Sequence, residues 1–483
     1  MKRTLFLLTL AALCTTIARA QYEIKVQVEG VKDSNLYLGY SYEDKRYVID
    51  TSRADKNGKA IFKKGKPLDK GVYFIALPDH NFFEMLMTDN QQFSVVTKRP
   101  QLFDNVKFTG SLENQEFVDY QRFLGRQQKK VKAIQDRLKK NEEDKKDSVE
   151  IYRKQLEDVD SGVKEYIKKL IANNENNFLG TLMKSLESVE APEIVVPESI
   201  ANKDSVRQVY RYGYTRDHYF DNFNFADNGL IRTPFFKARI EYFFKNLIVP
   251  APDTIIKYAD MIIERSKANQ EMFRYVTEYF FQTYQKSELM SHDAIVVHFA
   301  DKYYLSGQAY WADADYKKKI KERVDKLRPN LVGKVAPELT LQNVEGQYIS
   351  LRKLRADFTI LYFWEPGCGH CKKETPKLWE YYQTIRDKGV EVYAVYTQYK
   401  REDWIKYLDE HQYDWVNVWD GIEGKDEKGK QTTFSLGSNF RDLYDVYSTP
   451  TVYLLDKNKK ILAKRIDVEV VQKMIEEEMK KKK

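Results

Sequence analysis

The sequence predicts a multidomain protein with an N-terminal antiparallel β domain, a middle all-α domain and a C-terminal α/β domain. The chain of 483 residues is longer than a single hydrophobic core normally supports. Its apolar residues recur with period two up to residue 110, with helical spacing up to residue 331, and in alternating strand and helix patterns afterwards. We therefore expect a β-sandwich-like domain over residues 21–110, a helical domain over 111–331 and an α/β domain over 332–483.

The first twenty residues are typical of a secretory signal peptide. Basic Lys2 and Arg3 precede an apolar run from Leu5 to Leu13, and Ala18 to Ala20 form a small-residue cleavage site. A membrane anchor is the alternative, but the apolar run is shorter than the roughly 20 residues that a span requires. The sequence therefore predicts removal of residues 1–20, export to the periplasm or cell envelope, and a mature protein without a stable membrane span.

Strict alternation of apolar and polar residues indicates strands between residues 21 and 110. The segment from Tyr22 to Val28 is the clearest example. Asn57 and Gly58 form a dipeptide that favours tight turns, and they lie between apolar segments around Ile49 and Ile61. A β-hairpin is expected there.

Helical spacing begins near residue 116. One apolar stripe runs from Leu124 to Leu138 and another from Leu156 to Leu170, with the charged stretch 141–148 between them. This pattern predicts a two-helix hairpin or a short coiled coil, with the charged stretch as its tip. His292 and His298 are six residues apart, which places them on different helix faces, so no metal site is expected there.

The last 150 residues or so alternate strands with helices. Ala336 and Pro337 open a segment that turns at Glu345-Gly346 and returns as a hairpin. The continuous apolar run from Phe358 to Trp364 is typical of a central strand that is buried on both faces. The residues that carry the predicted chemistry follow this strand directly.

Cysteine usage indicates a reactive pair. Removal of the signal peptide takes away Cys14 and leaves Cys368 and Cys371, within the sequence Cys-Gly-His-Cys. A disulfide between them closes too small a loop to add much stability. A structural zinc site needs four ligands, and the sequence offers no second pair of suitable spacing. The pair is therefore interpreted as redox-active.

Local geometry gives the two cysteines different roles. Glycine and proline turn the chain after the strand, and a helix is predicted to begin at the motif, with Cys368 at its N-terminus. Free backbone N–H groups and the helix dipole favour an anion at that position and lower the pKa of a thiol. Cys371 lies one turn further along, deeper, where it can attack a mixed disulfide formed at Cys368.

Two further side chains of the motif are candidates for catalysis. His370 can favour the Cys368 thiolate by charge or by a hydrogen bond. Glu374 is three residues after Cys371 and shares its helix face, so a partly buried carboxylate can take the Cys371 proton. The alternative for Glu374 is an exposed glutamate that pairs with a lysine.

A second element of the site is distant in sequence. Thr449 and Pro450 precede the strand predicted from Val452 to Leu455. A cis proline at this position is expected to lie beside the cysteines, leaving the Thr449 backbone free to pair with an extended substrate. An ordinary trans proline at the start of a strand is the alternative.

The charge distribution argues against nucleic acid as a partner. The formal net charge is +8, but the 80 basic and 72 acidic residues are interleaved along the chain. No concentrated basic face is visible in the sequence.

The segment from Val335 to Ile466 resembles the thioredoxin superfamily, and within it the TlpA/ResA-like envelope branch. The residues that carry the resemblance are Ala336-Pro337, Phe363-Trp364, the Cys-Gly-His-Cys motif, Glu374 with Pro376, and Thr449-Pro450. Gly-His between the cysteines also resembles disulfide isomerases. More weakly, the upstream regions resemble uncharacterised N-terminal domains of Bacteroidetes envelope proteins.

The resemblance implies a thioredoxin-like fold and a site that needs no metal or organic cofactor. In that branch Glu374 corresponds to a buried acid, and residues 401–419 correspond to an inserted helix and strand. Trp364, Thr449 and Pro450 are the expected substrate-binding residues. The charged loop at 421–437 departs from the pattern by its length.

These observations predict a thiol-disulfide oxidoreductase that reduces or exchanges disulfides in protein substrates. Its partners are disulfide or dithiol proteins and an electron-donor protein. The alternative is an envelope binding or scaffold protein whose redox domain is regulatory.

Overall fold

The computed structural model describes residues 22–43, 45–141 and 146–481. The predicted signal peptide and the tip of the predicted helical hairpin lie outside these residues. The strands are β1 (Tyr22–Glu29), β2 (Asn35–Tyr42), β3 (Lys45–Arg53), β4 (Lys59–Lys64), β5 (Gly71–Ala76), β6 (Phe82–Met87), β7 (Gln92–Lys98), β8 (Lys107–Thr109), β9 (Thr340–Asn343), β10 (Tyr348–Ser350), β11 (Phe358–Trp364), β12 (Val390–Tyr396), β13 (Val416–Trp419), β14 (Gly421–Lys425), β15 (Gln431–Ser435), β16 (Thr451–Asp456) and β17 (Ile461–Lys464).

Helices occupy most of the middle of the chain and flank the C-terminal strands. They are α1 (Leu102–Asn105), α2 (Leu112–Asn141), α3 (Lys146–Asn173), α4 (Phe178–Leu186), α5 (Lys203–His218), α6 (Phe236–Asn246), α7 (Pro252–Ser266), α8 (Gln270–Gln285), α9 (Asp293–Phe299), α10 (Ala314–Leu327), α11 (Cys371–Ile385), α12 (Arg401–His411), α13 (Phe440–Leu443) and α14 (Val468–Lys481). Among the described residues, no helix combines the length and apolarity needed to cross a membrane.

The chain divides into two compact units. One comprises residues up to 248 together with 264–273, and the other comprises residues 249–263 together with 274–483. The three-part architecture predicted from the sequence is confirmed as a succession of β, helical and α/β regions. The predicted boundaries at residues 110 and 331 stay predictions.

The N-terminal β region contains two four-stranded sheets, with orders β4-β1-β7-β8 and β3-β2-β5-β6. All strand pairs are antiparallel except β1 with β7, which is parallel. The alternating apolar residues of β1 are buried in one core shared by both sheets. This core includes Tyr22, Ile24, Val26 and Val28 of β1, together with Leu36, Leu38, Phe83, Met85 and Phe93.

The hairpin predicted at Asn57-Gly58 is wrong, although the turn itself exists. Gly58 has a φ of +75°, and a Cβ there would lie 2.1 Å from the carbonyl oxygen of Val28. The Gly58 carbonyl in turn accepts a hydrogen bond of 2.9 Å from the Val28 N–H. This docking on the end of β1 carries the chain from β3 in one sheet to β4 in the other, so the two strands do not pair.

The predicted two-helix hairpin is confirmed as α2 and α3. Its base is held by aromatic stacking, with the ring centroids of Phe123 and Tyr166 4.2 Å apart. The charged stretch predicted as its tip, residues 141–148, includes the undescribed residues 142–145.

The C-terminal sheet has the order β10-β9-β13-β12-β11-β16-β17. Strand β11 lies near its middle, parallel to β12 and antiparallel to β16, and every residue of β11 is buried. Alternate side chains serve two cores: Tyr362 and Trp364 pack with α11 on one face, whereas Leu361 and Phe363 pack on the other. The run from Phe358 to Trp364 is therefore the central strand that the sequence predicted.

Other expectations for this region are also confirmed. The turn at Glu345-Gly346 joins the antiparallel strands β9 and β10. The inserted helix and strand implied for residues 401–419 are α12 and β13. The long charged loop at 421–437 contains the two-stranded hairpin of β14 and β15.

In the second unit, helical residues contact the edge of the C-terminal sheet through buried polar groups. Lys464 of β17 has no exposed side-chain surface, and its Nζ lies 2.6 Å from Asp293 Oδ2. The same Nζ donates a hydrogen bond of 2.7 Å to Asn330 Oδ1. Burying a lysine is costly unless it is paired, so these two contacts stabilise the charge inside the unit.

Candidate functional site

The Cys-Gly-His-Cys motif lies where β11 ends and α11 begins. The strand finishes at Trp364, a short turn follows, and α11 starts at Cys371. The carbonyl of Cys368 accepts the Lys372 N–H at 3.1 Å, which is the first hydrogen bond of helical type at this end. Cys368 therefore stands at the helix N-terminus, as the sequence predicted.

Cys368 is partly exposed and lies between the helix start and the distant Thr449 loop. Its Sγ accepts the Cys371 N–H at 3.2 Å and lies 3.0 Å from the Thr449 carbonyl oxygen. Burial raises the pKa of this thiol. Hydrogen bonds with the side chains of Cys371 and Thr449 and from backbone N–H groups outweigh burial, so the pKa of Cys368 lies below its usual value.

Cys371 has the opposite environment. Only 1% of its surface is exposed, and it packs in the core with Trp364 and Leu378. Burial, together with its hydrogen bond to Cys368, raises the pKa of the Cys371 thiol to about 12. Both cysteines are free thiols in this structure, which therefore represents the reduced pair.

This asymmetry predicts that iodoacetamide modifies Cys368 much faster than Cys371 in the reduced protein. The thiolate is the reactive form, and with a pKa of about 12 only about one Cys371 thiol in 10⁴ is ionised at pH 8. Because the Cys368 pKa is lowered, its alkylation rate should reach a plateau at a lower pH than that of an unfolded control peptide. Peptide mapping after timed alkylation measures both rates, and equal rates would contradict the assignment.

Glu374 combines features of both predicted alternatives. Its Oε1 accepts a hydrogen bond of 3.0 Å from Lys377 Nζ, and that Nζ also lies 2.8 Å from Glu469 Oε1. The Glu374 side chain is only 20% exposed. Its Oε2 is buried and accepts no hydrogen bond from any described residue. One oxygen is thus held by a lysine and the other remains available as a proton acceptor.

His370 and Trp364 differ sharply in accessibility. His370 is exposed at the start of α11, and its backbone N–H is one of the groups that lower the pKa of Cys368. Trp364 is fully buried and packs against Tyr407, with ring centroids 5.3 Å apart. The prediction that Trp364 binds substrate does not fit this burial, because its side chain faces the core beneath the motif.

The Thr449–Pro450 peptide bond is cis, as predicted. The hydroxyl of Thr449 donates a hydrogen bond of 3.2 Å to Glu365 Oε1, which fixes this loop to the turn that precedes Cys368. A groove of about 590 Å³ runs beside the loop, and His370 and Glu374 also line it. The fold thus brings the motif, the cis proline and an accessible groove together.

Sequence reasoning missed two residues that contact or surround the motif. Glu365 follows β11 directly and links the motif to Thr449. Tyr362 is buried under the motif and shares a hydrogen bond of 2.8 Å with Thr375. Burial raises the pKa of Tyr362, with further contributions from the charges of Cys371, Glu374 and Cys368, so its hydroxyl stays protonated. The position of an acidic residue directly after the strand could have indicated a role for Glu365. Tyr362 lies within the apolar run, and the sequence does not distinguish it from the neighbouring core residues.

The described part of the chain contains no group of three or more His, Cys, Asp or Glu side chains that could hold a metal ion. The site therefore consists of two thiols, one carboxylate with a free oxygen, and the backbone of a cis-proline loop.

The sheet, the cysteine pair at the start of α11 and the cis-proline loop define a redoxin domain of the thioredoxin superfamily. Residues 332–464 match the family model described as AhpC/TSA family. Upstream, residues 22–117 and 168–330 match two models described as domains of unknown function, DUF4369 and DUF5106.

The relatives narrow this class to one family. A thiol-disulfide oxidoreductase ResA of Bacillus cereus is 30% identical over 135 residues, which are 28% of this chain and 69% of that protein. A ResA of Bacillus thuringiensis is 29% identical over 150 residues, covering 31% of this chain and 78% of the relative. Through its C-terminal region the chain belongs to the ResA-like thiol-disulfide oxidoreductases, and it has an oxidoreductase role.

Two solved structures contain chains similar to this one. A domain of a possible thiol-disulfide isomerase from Cytophaga hutchinsonii is 38% identical and covers 32% of this chain and 96% of its own, with a TM-score of 0.27. A thioredoxin-like protein from Bacteroides caccae is 23% identical and covers 60% of this chain and 98% of its own, with a TM-score of 0.39.

Proposed function

We propose that this protein reduces or exchanges disulfides in exported protein substrates through Cys368 and Cys371. The observation that carries the proposal is the placement of the two thiols, with Cys368 partly exposed at the helix start and Cys371 only 1% exposed. The pKa is accordingly lowered at Cys368 and raised at Cys371. An activated, accessible thiol beside a protonated, buried one is what a two-step exchange requires.

In the first step the Cys368 thiolate attacks one sulfur of the substrate disulfide. A bond forms between Cys368 Sγ and that sulfur, and the other substrate sulfur leaves as a thiolate that takes a proton. The Thr449 carbonyl, 3.0 Å from Cys368 Sγ, and the cis proline beside it are placed to position an extended substrate chain.

In the second step Cys371 resolves the mixed disulfide. Its proton passes to Glu374, the Cys371 sulfur attacks Cys368 Sγ, and the second substrate sulfur leaves and is protonated. The substrate gains two electrons and the Cys368–Cys371 pair becomes a disulfide. A donor dithiol protein must then reduce this disulfide before another cycle. No metal or organic cofactor enters these steps.

The compartment follows from the sequence of residues 1–20. A signal peptide and one redox-active pair are consistent with an envelope protein in the periplasm, where disulfides form and persist.

The direct test of the proposed disulfide exchange uses the full mature chain. It should turn over a model protein disulfide in the presence of a dithiol donor, and an inactive but folded chain would overturn it.

Replacing Glu374 with glutamine should slow the resolving step by a factor on the order of 10², because the amide cannot accept the Cys371 proton. The first attack by Cys368 should be nearly unchanged. Rapid-quench single turnovers, with the mixed disulfide separated from products between pH 6 and 8, measure the two steps.

The matched control is Glu469→Gln, which removes the other carboxylate bound by Lys377 and leaves Glu374 in place. If Glu374→Gln and Glu469→Gln resolve the mixed disulfide equally fast across this pH range, Glu374 is only a surface charge.

The redox potential of the pair should lie between about −270 mV and about −180 mV, the values for thioredoxin and protein disulfide isomerase. The backbone N–H of His370 stabilises the Cys368 thiolate, which favours the reduced pair. We expect its imidazole to act in the same direction. Proline at this position removes both groups, so His370→Pro should make the potential more negative.

Equilibration with a glutathione series measures this potential. His411→Gln, which changes an exposed histidine at the end of α12, is the control. A wild-type potential at or below the thioredoxin value that His370→Pro does not move would show that His370 has no influence on it.

A further inference from the structure

The groove beside the cis-proline loop is lined by more than the residues of the motif. Besides His370, Glu374, Thr449 and Pro450, its lining includes Tyr447 and Arg323. Arg323 belongs to α10, in the helical region that precedes the redoxin domain. A residue from outside that domain therefore contributes to the groove.

Tyr447 is an exposed aromatic residue that lines the groove. It lies two residues before Thr449, and 66% of its surface is accessible. The guanidinium of Arg323 and the Nζ of Lys326 each lie 5.5 Å from the centroid of its ring. Arg323 Nη1 also donates a hydrogen bond of 3.0 Å to the Tyr447 hydroxyl. Two cations of α10 thus hold the orientation of the ring while much of it faces solvent.

Arg323 is itself held by a buried carboxylate. The same Nη1 donates a hydrogen bond of 2.7 Å to Asp445 Oδ1, and the Asp445 side chain has no exposed surface. Arg465 contacts the other oxygen of Asp445. The ring of Tyr447 is therefore attached, through Arg323, to a buried carboxylate two residues away in sequence.

The position of Cys368 restricts how a partner can use this groove. Cys368 Sγ lies against the Thr449 carbonyl, so a partner sulfur must approach at that loop. An extended chain advances about 3.3 Å per residue. A partner that runs along the loop therefore brings a side chain about two residues from its cysteine up to Tyr447, whereas a small disulfide ends before it.

We propose that Tyr447, held by Arg323 and Lys326, is a substrate-contact residue that selects polypeptide disulfides with an aromatic or apolar side chain about two residues from the cysteine. This selection rests on the proposed disulfide exchange at Cys368. Aromatic residues are favoured contacts in recognition because a rigid ring provides a large area at low entropic cost.

The test uses the full mature chain and two disulfide-linked peptide dimers. They are identical except for Phe or Ser two residues on either side of the cysteine. Wild type should reduce the Phe dimer with a kcat/KM about tenfold higher than the Ser dimer, mostly through KM. Tyr447→Ala should bring this ratio to about one, and Tyr447→Phe should keep it, because the ring is retained.

Turnover of 2-hydroxyethyl disulfide separates this inference from the proposed function. Tyr447→Ala should reduce this small disulfide at the wild-type rate. Tyr348→Ala is the control. Tyr348 is similarly exposed, at 57%, but it lies in the edge strand β10, whereas Tyr447 precedes β16, next to the other edge of the sheet. A wild-type preference near one, an unchanged preference in Tyr447→Ala, or an equal loss on the small disulfide and the Phe dimer would each overturn the selection by Tyr447. Failure of wild type on the small disulfide and on both peptide dimers would instead overturn the proposed function.

Discussion

Replacing Cys368 with serine should abolish disulfide turnover, with a loss of at least about 10³-fold, because no other thiol of the described residues is accessible and has a lowered pKa. Cys371 is 1% exposed and has a pKa of about 12, so it cannot replace Cys368 as the attacking group. The Cys368→Ser protein should also form no covalent complex with a substrate.

Replacing Cys371 with serine should have the complementary effect. Attack by Cys368 remains possible, but the mixed disulfide is not resolved, so it should accumulate with a stoichiometry near one per chain. Non-reducing electrophoresis and intact-mass measurement detect the adduct, and a reductant should release it. Accumulation of the adduct in the Cys368→Ser protein, rather than in the Cys371→Ser protein, would exchange the two roles.

Replacing Asp293 with alanine should destabilise the second unit by about 3–5 kcal/mol, because it leaves a buried cation without its carboxylate. Lys464 has no exposed side-chain surface, and its Nζ lies 2.6 Å from Asp293 Oδ2. Asn330 still accepts a hydrogen bond from Lys464 but carries no charge. Urea denaturation, followed by tryptophan fluorescence at several pH values, measures the change in the free energy of unfolding.

The destabilisation caused by Asp293→Ala should depend on pH. Burial lowers the pKa of Lys464, and the charge of Asp293 opposes that shift. Without Asp293 the folded protein releases the Lys464 proton more easily than the unfolded chain does, so stability should recover as the pH rises. In the double variant Asp293→Ala with Lys464→Met both members of this ion pair are replaced by apolar side chains, and most of the loss should be regained. A loss that Lys464→Met does not reduce would show that Asp293 acts through packing instead.

The parts of the fold that could be predicted are those determined by neighbouring residues. The mainly apolar run of β11 and the Glu345-Gly346 turn both act locally, and both have the predicted structure. The connection at Gly58 could not be predicted, because its outcome depends on the Val28 carbonyl about thirty residues away. The parallel pairing of β1 with β7 joins residues about 70 positions apart, and alternation alone carries no information about direction.

The functional site likewise contains features that short motifs predict and features that depend on distant residues. The cysteine pair, its position at the helix start and the cis Thr449–Pro450 bond were predicted from short motifs. The burial of Trp364 could not be read from its place at the end of a strand, because α12 supplies the Tyr407 ring that covers it. Tertiary contacts of this kind leave no local signal in the sequence.

The pairing of Lys464 with Asp293 and Asn330 affects how the redoxin domain can be produced as a fragment. A fragment that begins at residue 332, where the family match starts, omits both partners of a lysine whose side chain is fully enclosed in the whole chain. Such a fragment exposes the edge of β17 and leaves Lys464 to be solvated. A fragment that begins before Met290, whose Sδ lies 3.2 Å from the Lys464 N–H, retains these contacts together with Arg323 and Lys326. The practical limit of the domain in this protein is therefore earlier than its sequence family suggests.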